Sequence, residues 1–233
     1  MSVPTAVVPE EEWNSKREAL LVKEKELTRA RDALAAERRR LPMVRVEKKY
    51  RFDGPAGEAS LLDLFESRRQ LIVYRFFLDP GMQIAAYPEG CPGCTMFADN
   101  LPNLTHLNAR DTTMVFVSAG SQGAIRSYRE RMGWDLPWYT TLDDFSADFD
   151  VSEYWGVNVF LRDGDQIYRT FFASGRAAED LASVWGLLDI TPFGRQEEWQ
   201  DAPDGVPQDP TGSWVRRRDD YTAEELAGGR TSA

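Results

Sequence analysis

The stretch Glu89-Gly90-Cys91-Pro92-Gly93-Cys94-Thr95-Met96-Phe97 contains both cysteines of the 233-residue chain. Two sulfurs separated by two residues can form a small disulfide ring or bind a soft metal together. A disulfide within so short a loop would restrict little of the unfolded chain, because the stabilisation from a cross-link grows with loop length. The pair therefore indicates redox or ligand chemistry in preference to a structural cross-link or two buried small residues.

The residues around the pair predict a strand before it and a helix after it. Residues 71–77 form a nearly continuous apolar run of high β propensity, which is typical of a buried central strand. A helix is predicted over 95–108, with Pro102 kinking or dividing it. A second buried strand over 113–118 and a basic helix over 122–132 follow. Because strands and helices alternate, we expect an α/β fold with parallel strands.

The rest of the chain adds one hairpin, a final helix and two extensions. Two strand-like runs around Asp163-Gly164-Asp165 predict a β-hairpin over 158–171, and a last helix is predicted over 176–188. Further predicted elements are a strand over 44–52, a short helix over 60–65 and an irregular aromatic turn over 133–139. We therefore expect an N-terminal helical extension (1–43), a domain (44–190) and a C-terminal extension (191–233) that is flexible from about residue 222.

The N-terminal extension is predicted to be one long charged helix over residues 10–40. It begins with three glutamates and ends with three arginines, as the helix dipole favours. Along it, an apolar residue recurs every seven positions, at Trp13, Leu20, Leu27 and Leu34. Since a single apolar stripe needs one partner surface, we expect it to dock on its own domain or on a second subunit. A dimeric coiled coil and a loosely attached arm are the alternatives.

A cysteine at the start of a helix is suited to thiol chemistry. Unpaired amide groups and the positive end of the helix dipole stabilise a thiolate there, and such settings lower a cysteine pKa from ~8.5 toward ~3.5–7.5. Cys91 is therefore the candidate nucleophile. Cys94, one turn into the helix, would resolve a mixed disulfide formed by Cys91. The predicted function is thiol–disulfide oxidoreduction with a thiol or disulfide substrate, of protein or small-molecule nature.

Metal binding by Cys91 and Cys94 is the second hypothesis. Zinc usually requires four ligands, and the chain supplies two cysteines and one histidine. His106 lies about 18 Å along a helix from Cys94, so we interpret it as a capping or surface residue in preference to a ligand or a catalytic base. We expect no cofactor; a metal or an iron–sulfur cluster shared between the subunits of a homodimer is the alternative.

Two further groups of residues are candidates for substrate binding. Trp134, Pro137 and Trp138 lie in the aromatic turn, where they would line a groove or simply pack over the sheet edge. Arg216 lies in a run of three arginines that would bind an anion or pair with the two aspartates that follow. Together they suggest a third hypothesis, a small-molecule biosynthetic enzyme.

Composition excludes some partners. A formal net charge of −10 opposes phosphate binding, so nucleic acid is not an expected partner. No apolar run approaches the ~20 residues that span a bilayer, and the first twelve residues lack the basic start and apolar core of a signal peptide. We therefore expect a cytoplasmic protein without membrane contact.

Five segments of the chain resemble the DUF899 family, and the resemblance covers about residues 13–221. They are the helix around Trp13 and residues 31–42, the Gly90–Cys94 segment, Arg131-Met132-Gly133-Trp134, residues 160–165 and residues 187–195. The resemblance implies a bacterial protein with a thioredoxin- or peroxiredoxin-like fold, that is, a central mixed sheet flanked by helices. It also implies dithiol–disulfide oxidoreductase activity with a redox-active pair at Cys91 and Cys94.

Two features depart from what thioredoxin-like enzymes usually carry. Such enzymes generally have a cis-proline just before the strand that opens the final hairpin, but residues 154–159 contain no proline. The Pro-x-x-x-Thr-x-x-Cys pattern of peroxiredoxins is also missing around Cys91. These departures weaken the expectation of a general protein disulfide reductase and strengthen the metal and small-molecule alternatives.

Overall fold

The described part of the chain is organised by one mixed β-sheet of eight strands, in the order β1-β8-β7-β4-β5-β6-β2-β3. The computed structural model describes residues 5–79, 90–101, 103–151 and 155–222. The strands are β1 (Val44–Arg45), β2 (Arg51–Gly54), β3 (Gly57–Ser60), β4 (Gln70–Arg75), β5 (Thr112–Ser118), β6 (Trp138–Thr141), β7 (Gly156–Asp163) and β8 (Gln166–Ser174). The helices are α1 (Glu10–Arg38), α2 (Pro92–Asp99), α3 (Thr105–Asn108), α4 (Gln122–Met132), α5 (Phe145–Asp148) and α6 (Ser183–Asp189), with 3-10 helices at Asp63–Phe65 and Gly175–Leu181.

The four strands at the centre of the sheet define the fold class. β4 is parallel to β5 on one side and antiparallel to β7 on the other, and β7 forms an antiparallel hairpin with β8. The connection between the two parallel strands carries α2 and α3, as a crossover between parallel strands requires. This βαβ unit joined to a β-hairpin is the arrangement of the thioredoxin fold. The predicted thioredoxin-like α/β fold with a central mixed sheet is confirmed.

Both faces of the sheet are covered by apolar side chains. On one face Tyr74, Phe76 and Phe116 pack with α2 and α4; on the other Val73 and Val115 pack with the 3-10 helix at Asp63–Phe65 and with α5. Every residue of β5 is buried, which explains why this strand is a continuous β-prone run without polar alternation. Because apolar clusters pack on both faces of the sheet, the end of β4 is fixed in place. α2 is the next described helix in the chain.

Three predicted elements are wrong in detail because contacts with distant residues divide them. Residues 44–52 do not form one strand: β1 pairs with β8 at one edge of the sheet, whereas β2 pairs with β6 and β3 at the other. The aromatic turn predicted over 133–139 ends in strand β6, because its residues from Trp138 onward pair with β5. The final helix is split at Ala182, which is extended, and Asn100 caps α6 by accepting hydrogen bonds from Ser183 Oγ and from the N–H of Val184.

α1 is largely uncovered by the other described residues of the chain. None of its residues is buried, and the four residues of its apolar stripe are 47–57% exposed. Its C-terminal end touches the sheet where the Arg38 guanidinium lies 5.1 Å from the ring centre of Phe171. Docking on its own domain or on a second subunit, a dimeric coiled coil and a loosely attached arm all remain predictions. Among the residues that the structure describes, no helix is both long and apolar enough to span a membrane.

Candidate functional site

Gly90 and Phe77 position the first cysteine. Gly90 has φ +99°, and a Cβ on it would lie 2.7 Å from the Tyr128 ring, so both the backbone conformation and the close contact require glycine. The N–H of Cys91 donates to the carbonyl of Phe77 at 3.3 Å, which ties the residue to the end of the central strand. Residues 80–89, which the sequence predicts to be a loop, lie outside the described residues.

Cys91 is the N-cap of α2. The helix begins at Pro92 and not at the predicted Thr95, because proline fits the first helical position, where no N–H donor is needed. The Cys91 sulfur accepts a hydrogen bond from the N–H of Cys94 at 3.4 Å, the role that a serine or aspartate oxygen fills at other helices. Cys91, the candidate nucleophile, therefore lies at the positive end of the helix dipole, as the sequence predicted.

Several contacts lower the pKa of the Cys91 thiol to about 7. The largest cause is the hydrogen bond from the Cys94 thiol; burial opposes the shift, and the N–H groups of Cys94 and Gly93 and the charge of Arg217 add to it. This lowered pKa makes thiolate available at neutral pH. The side chain is half-buried, whereas a structural cysteine would be fully buried and inert.

Cys94 differs from Cys91 in its burial and in the direction of its pKa shift. It is fully buried, and burial, followed by the hydrogen bond to Cys91 and the charge there, raises the pKa of its thiol. Its sulfur accepts from the N–H of Phe77 at 3.5 Å. The proton of the pair therefore resides on Cys94, and both cysteines are free thiols in this structure. The two sulfurs therefore differ in burial and in pKa, and the roles of attacking and resolving cysteine stay predictions.

The C-terminal extension covers the dithiol. Val215 packs against the core beside Cys91, and Arg217 Nη1 donates to the carbonyl of Gly90 at 3.2 Å while its Nε donates to Asp220 at 2.8 Å. The sequence pointed to Arg216 in this run. Arg216 is exposed, and the adjacent Arg217 contacts the carbonyl of Gly90. No local signal separates the two arginines, because the contact joins residues 127 positions apart.

Arg217→Gln is expected to raise the pKa of Cys91 and to slow its alkylation at pH 7 by about twofold, since less thiolate would be present. The measurement is the rate of iodoacetamide reaction against pH. Arg216→Gln removes the same charge one residue away and is the matched control. An equal shift in both variants would show that Arg217 acts only through the overall charge of the protein.

Of the three residues predicted to line a substrate groove, two lie in a groove and one lies in the core. Trp134 and Pro137 do line a groove of about 580 Å³, together with Asp99, whose carboxylate accepts from Trp134 Nε1 at 2.8 Å and from Arg218 Nη1 at 3.1 Å. Trp138 does not line it: its side chain is fully buried, and its Nε1 donates to Ser118 Oγ at 3.0 Å. Neither cysteine borders the groove, which lies at the far end of α2, about 12 Å from Cys91 at 1.5 Å per residue.

The region opposite the dithiol lacks the usual proline. The peptide bonds of the described residues are all trans, and Trp155 is the described residue that directly precedes β7; Tyr154 lies outside them. The Trp155 ring stacks on Tyr74 with their centres 5.9 Å apart. An aromatic stack therefore lies next to the start of β7, beside the core residues that surround Cys94.

The metal hypothesis gains no further ligands from the described residues of one chain. Among the described residues, no three histidine, cysteine, aspartate or glutamate side chains lie together as a metal site would require. His106 is exposed on α3, as its interpretation as a surface residue predicted. A cluster bound by Cys91 and Cys94 would need ligands from outside the described residues of one chain.

The order of the central strands and the dithiol at the start of the helix after β4 define a thioredoxin-fold protein. The family model described as "Bacterial protein of unknown function (DUF899)" matches residues 2–221. The chain belongs to this family, which confirms the resemblance seen in its sequence segments. A search of curated proteins found no match.

Solved structures with a similar arrangement have little sequence in common with the chain. The thioredoxin domain of thiol-disulfide oxidoreductase BVU-2223 from Bacteroides vulgatus is 14% identical, with a TM-score of 0.40 over 57% of this chain and 91% of that one. A thiol:disulfide interchange protein from Bacteroides sp. is 17% identical, with a TM-score of 0.38 over 52% and 76%. Peroxidoxin BcpB from Mycobacterium tuberculosis is 16% identical, with a TM-score of 0.40 over 60% and 91%.

Proposed function

We propose that the protein is a thiol–disulfide oxidoreductase in which Cys91 attacks and Cys94 resolves. The observation that carries the proposal is the difference between the two sulfurs. Cys91 is half-buried with a pKa of about 7, and Cys94 is buried behind it with a raised pKa. A low pKa on the accessible sulfur and a proton held on the buried one are the conditions for an ordered two-step exchange.

In the first step the Cys91 thiolate attacks a substrate disulfide, forms a mixed disulfide and releases one substrate sulfur as a thiolate, which takes a proton from water. In the second step Cys94 attacks the Cys91 sulfur. The Cys91–Cys94 disulfide forms, the second substrate sulfur leaves, and the proton given up by Cys94 passes to it through water. The dithiol loses two electrons and the substrate disulfide gains them. The reaction runs in reverse when the protein disulfide meets a substrate dithiol.

The surroundings of the dithiol favour a small or slender substrate. The C-terminal extension lies over the site through Val215 and Arg217, and Trp155 precedes β7 where other thioredoxin-fold enzymes have a peptide-guiding proline. An extended peptide would have to displace part of this cover. A low-molecular-weight disulfide such as oxidised glutathione is therefore the substrate class that we test first.

The test is to mix reduced protein with oxidised glutathione, quench with acid, alkylate the free thiols and determine the intact mass. We expect a species with two alkyl groups to convert to one with none, through a transient glutathione adduct. A permanent adduct, or protein that keeps both thiols at every ratio of oxidised to reduced glutathione, would contradict the proposal. Oxidised dithiothreitol in place of glutathione provides a cyclic disulfide as a second oxidant.

A further inference from the structure

Tyr74 is held rigidly next to the buried cysteine. It lies on β4, which is hydrogen-bonded on both sides, and its side chain is fully buried. Its ring stacks on Phe97 of α2 with the centres 4.2 Å apart and the planes 12° from parallel, and Trp155 stacks on it at 5.9 Å. The phenol hydroxyl therefore has one fixed position.

The hydroxyl of Tyr74 has no hydrogen-bond partner of ordinary geometry among the described residues. Tyr74 and Cys94 belong to the same buried cluster, and each of the two groups influences the ionisation of the other. A buried hydroxyl without a partner lowers stability compared with the phenylalanine that has the same shape. This position on the strand therefore carries a buried polar group whose ionisation is linked to that of the Cys94 sulfur.

The Cys94 sulfur has little to stabilise a negative charge. The N–H of Phe77 donates to it from the end of β4, and Cys91 is the other ionisable group of its own helix that faces it. From α4, the charge on Cys94 is felt by Tyr128, whose hydroxyl already pairs with Thr95 Oγ1 at 2.7 Å. The Arg75 guanidinium acts on Tyr74 and is itself bound to the carboxylate of Asp79.

We propose that the Tyr74 hydroxyl donates a hydrogen bond to the Cys94 sulfur as this sulfur becomes a thiolate in the resolving step. The inference rests on the proposed function and makes Tyr74 a catalytic residue for its second half. Tyr74 keeps its own proton throughout: Cys94 loses its proton to the departing substrate thiolate through water, and the Cys91–Cys94 bond forms. Burial, with the charge of Cys94 next in size, raises the pKa of Tyr74, so the phenol is a donor and not a base at neutral pH.

The experiment uses the reduced full chain and Ellman's disulfide, which releases one coloured thiolate when Cys91 attacks and a second when Cys94 resolves. We expect Tyr74→Phe to leave the first phase unchanged and to slow the second by about tenfold, since a hydrogen bond to a charged group is lost. We also expect the second phase of the variant to require a higher pH. Its melting temperature is expected to be equal or slightly higher, because an unpaired buried hydroxyl is removed.

Tyr128→Phe is the matched control, since its hydroxyl is paired and not directed at the sulfur. It is expected to leave both phases unchanged. Slowing of both phases in Tyr74→Phe, or an unchanged second phase with an unchanged pH profile, overturns the inference while the proposed function stands. Wild-type protein that releases no second thiolate at all defeats the proposed function itself.

Discussion

Cys91→Ser is expected to abolish disulfide exchange, and Cys94→Ser is expected to stop the reaction one step later. A serine hydroxyl at position 91 stays protonated at neutral pH, so we expect exchange to fall by at least about a thousandfold. With Cys94 replaced, Cys91 would still attack, and the mixed disulfide would accumulate because the sulfur that resolves it is gone. The measurement is intact mass after mixing with oxidised glutathione and quenching with acid.

The two variants together test the order of the reaction. A stable glutathione adduct on Cys94→Ser and none on Cys91→Ser would support the assigned roles. An adduct on Cys91→Ser instead would reverse them, since it would show that the buried sulfur attacks first. Thermal unfolding of both variants is the control for folding, because a serine at either position changes the side-chain volume very little.

Glu197→Gln is expected to loosen the fold of the C-terminal extension. Glu197 is buried, and its carboxylate accepts from Trp199 Nε1 at 2.6 Å, from Trp214 Nε1 at 2.7 Å and from the N–H of Gly212 at 2.9 Å. A glutamine amide would place N–H groups against one of these donors in either orientation. We expect the free energy of unfolding to fall by about 2–4 kcal/mol, because the buried N–H donors lose their hydrogen bonds to a charged acceptor.

The readout for Glu197→Gln is limited trypsin digestion, since Arg216, Arg217 and Arg218 all lie in the extension. We expect cleavage there to accelerate by about thirtyfold or more, because cleavage follows the population of the opened form. Glu198→Gln makes the same change at the adjacent, exposed position and is the control. Equal cleavage of the two variants would show that the Glu197 contacts do not hold the extension.

Acid is expected to weaken the same contacts. Burial opposes ionisation of Glu197, but the hydrogen bonds from Trp199, Gly212 and Trp214 and the charge of Arg195 outweigh it and lower its pKa below the usual value of 4.5. A group with a lower pKa in the folded state contributes stability above its unfolded pKa and loses it as the pH falls through the folded value. The extension should therefore open more readily below about pH 4.5.

The elements predicted correctly are those with complete local signals. α4 has the predicted bounds, because Ser121 caps its start and Gly133 ends it with φ +63°. β5 follows from a run of β-prone residues, and the hairpin of β7 and β8 from the turn that contains Gly164, with φ +57°. In the site, the order of strand, loop, cysteine pair and helix in the sequence was sufficient to place both cysteines at the start of a helix.

The features that sequence reasoning missed depend on contacts between distant segments. Arg217 reaches the dithiol from the C-terminal extension, and Tyr74 is one of many apolar-run residues until its strand is placed beside α2. Trp138 is a core residue, but Pro137 directly before it interrupts the alternation of polar and apolar residues that would have indicated this. No pattern along the chain distinguishes these residues from their neighbours.

The spacing of Cys91 and Cys94, the strand before them and the helix after them were sufficient to determine the fold class and the location of the dithiol, because turn, cap and strand preferences act over a few residues. Tertiary structure alone decided which sulfur is buried, which arginine approaches Cys91 and which hydroxyl shares a buried cluster with Cys94. Burial and charge at an atom depend on everything packed around it, and here those groups come from β4, α2 and the C-terminal extension.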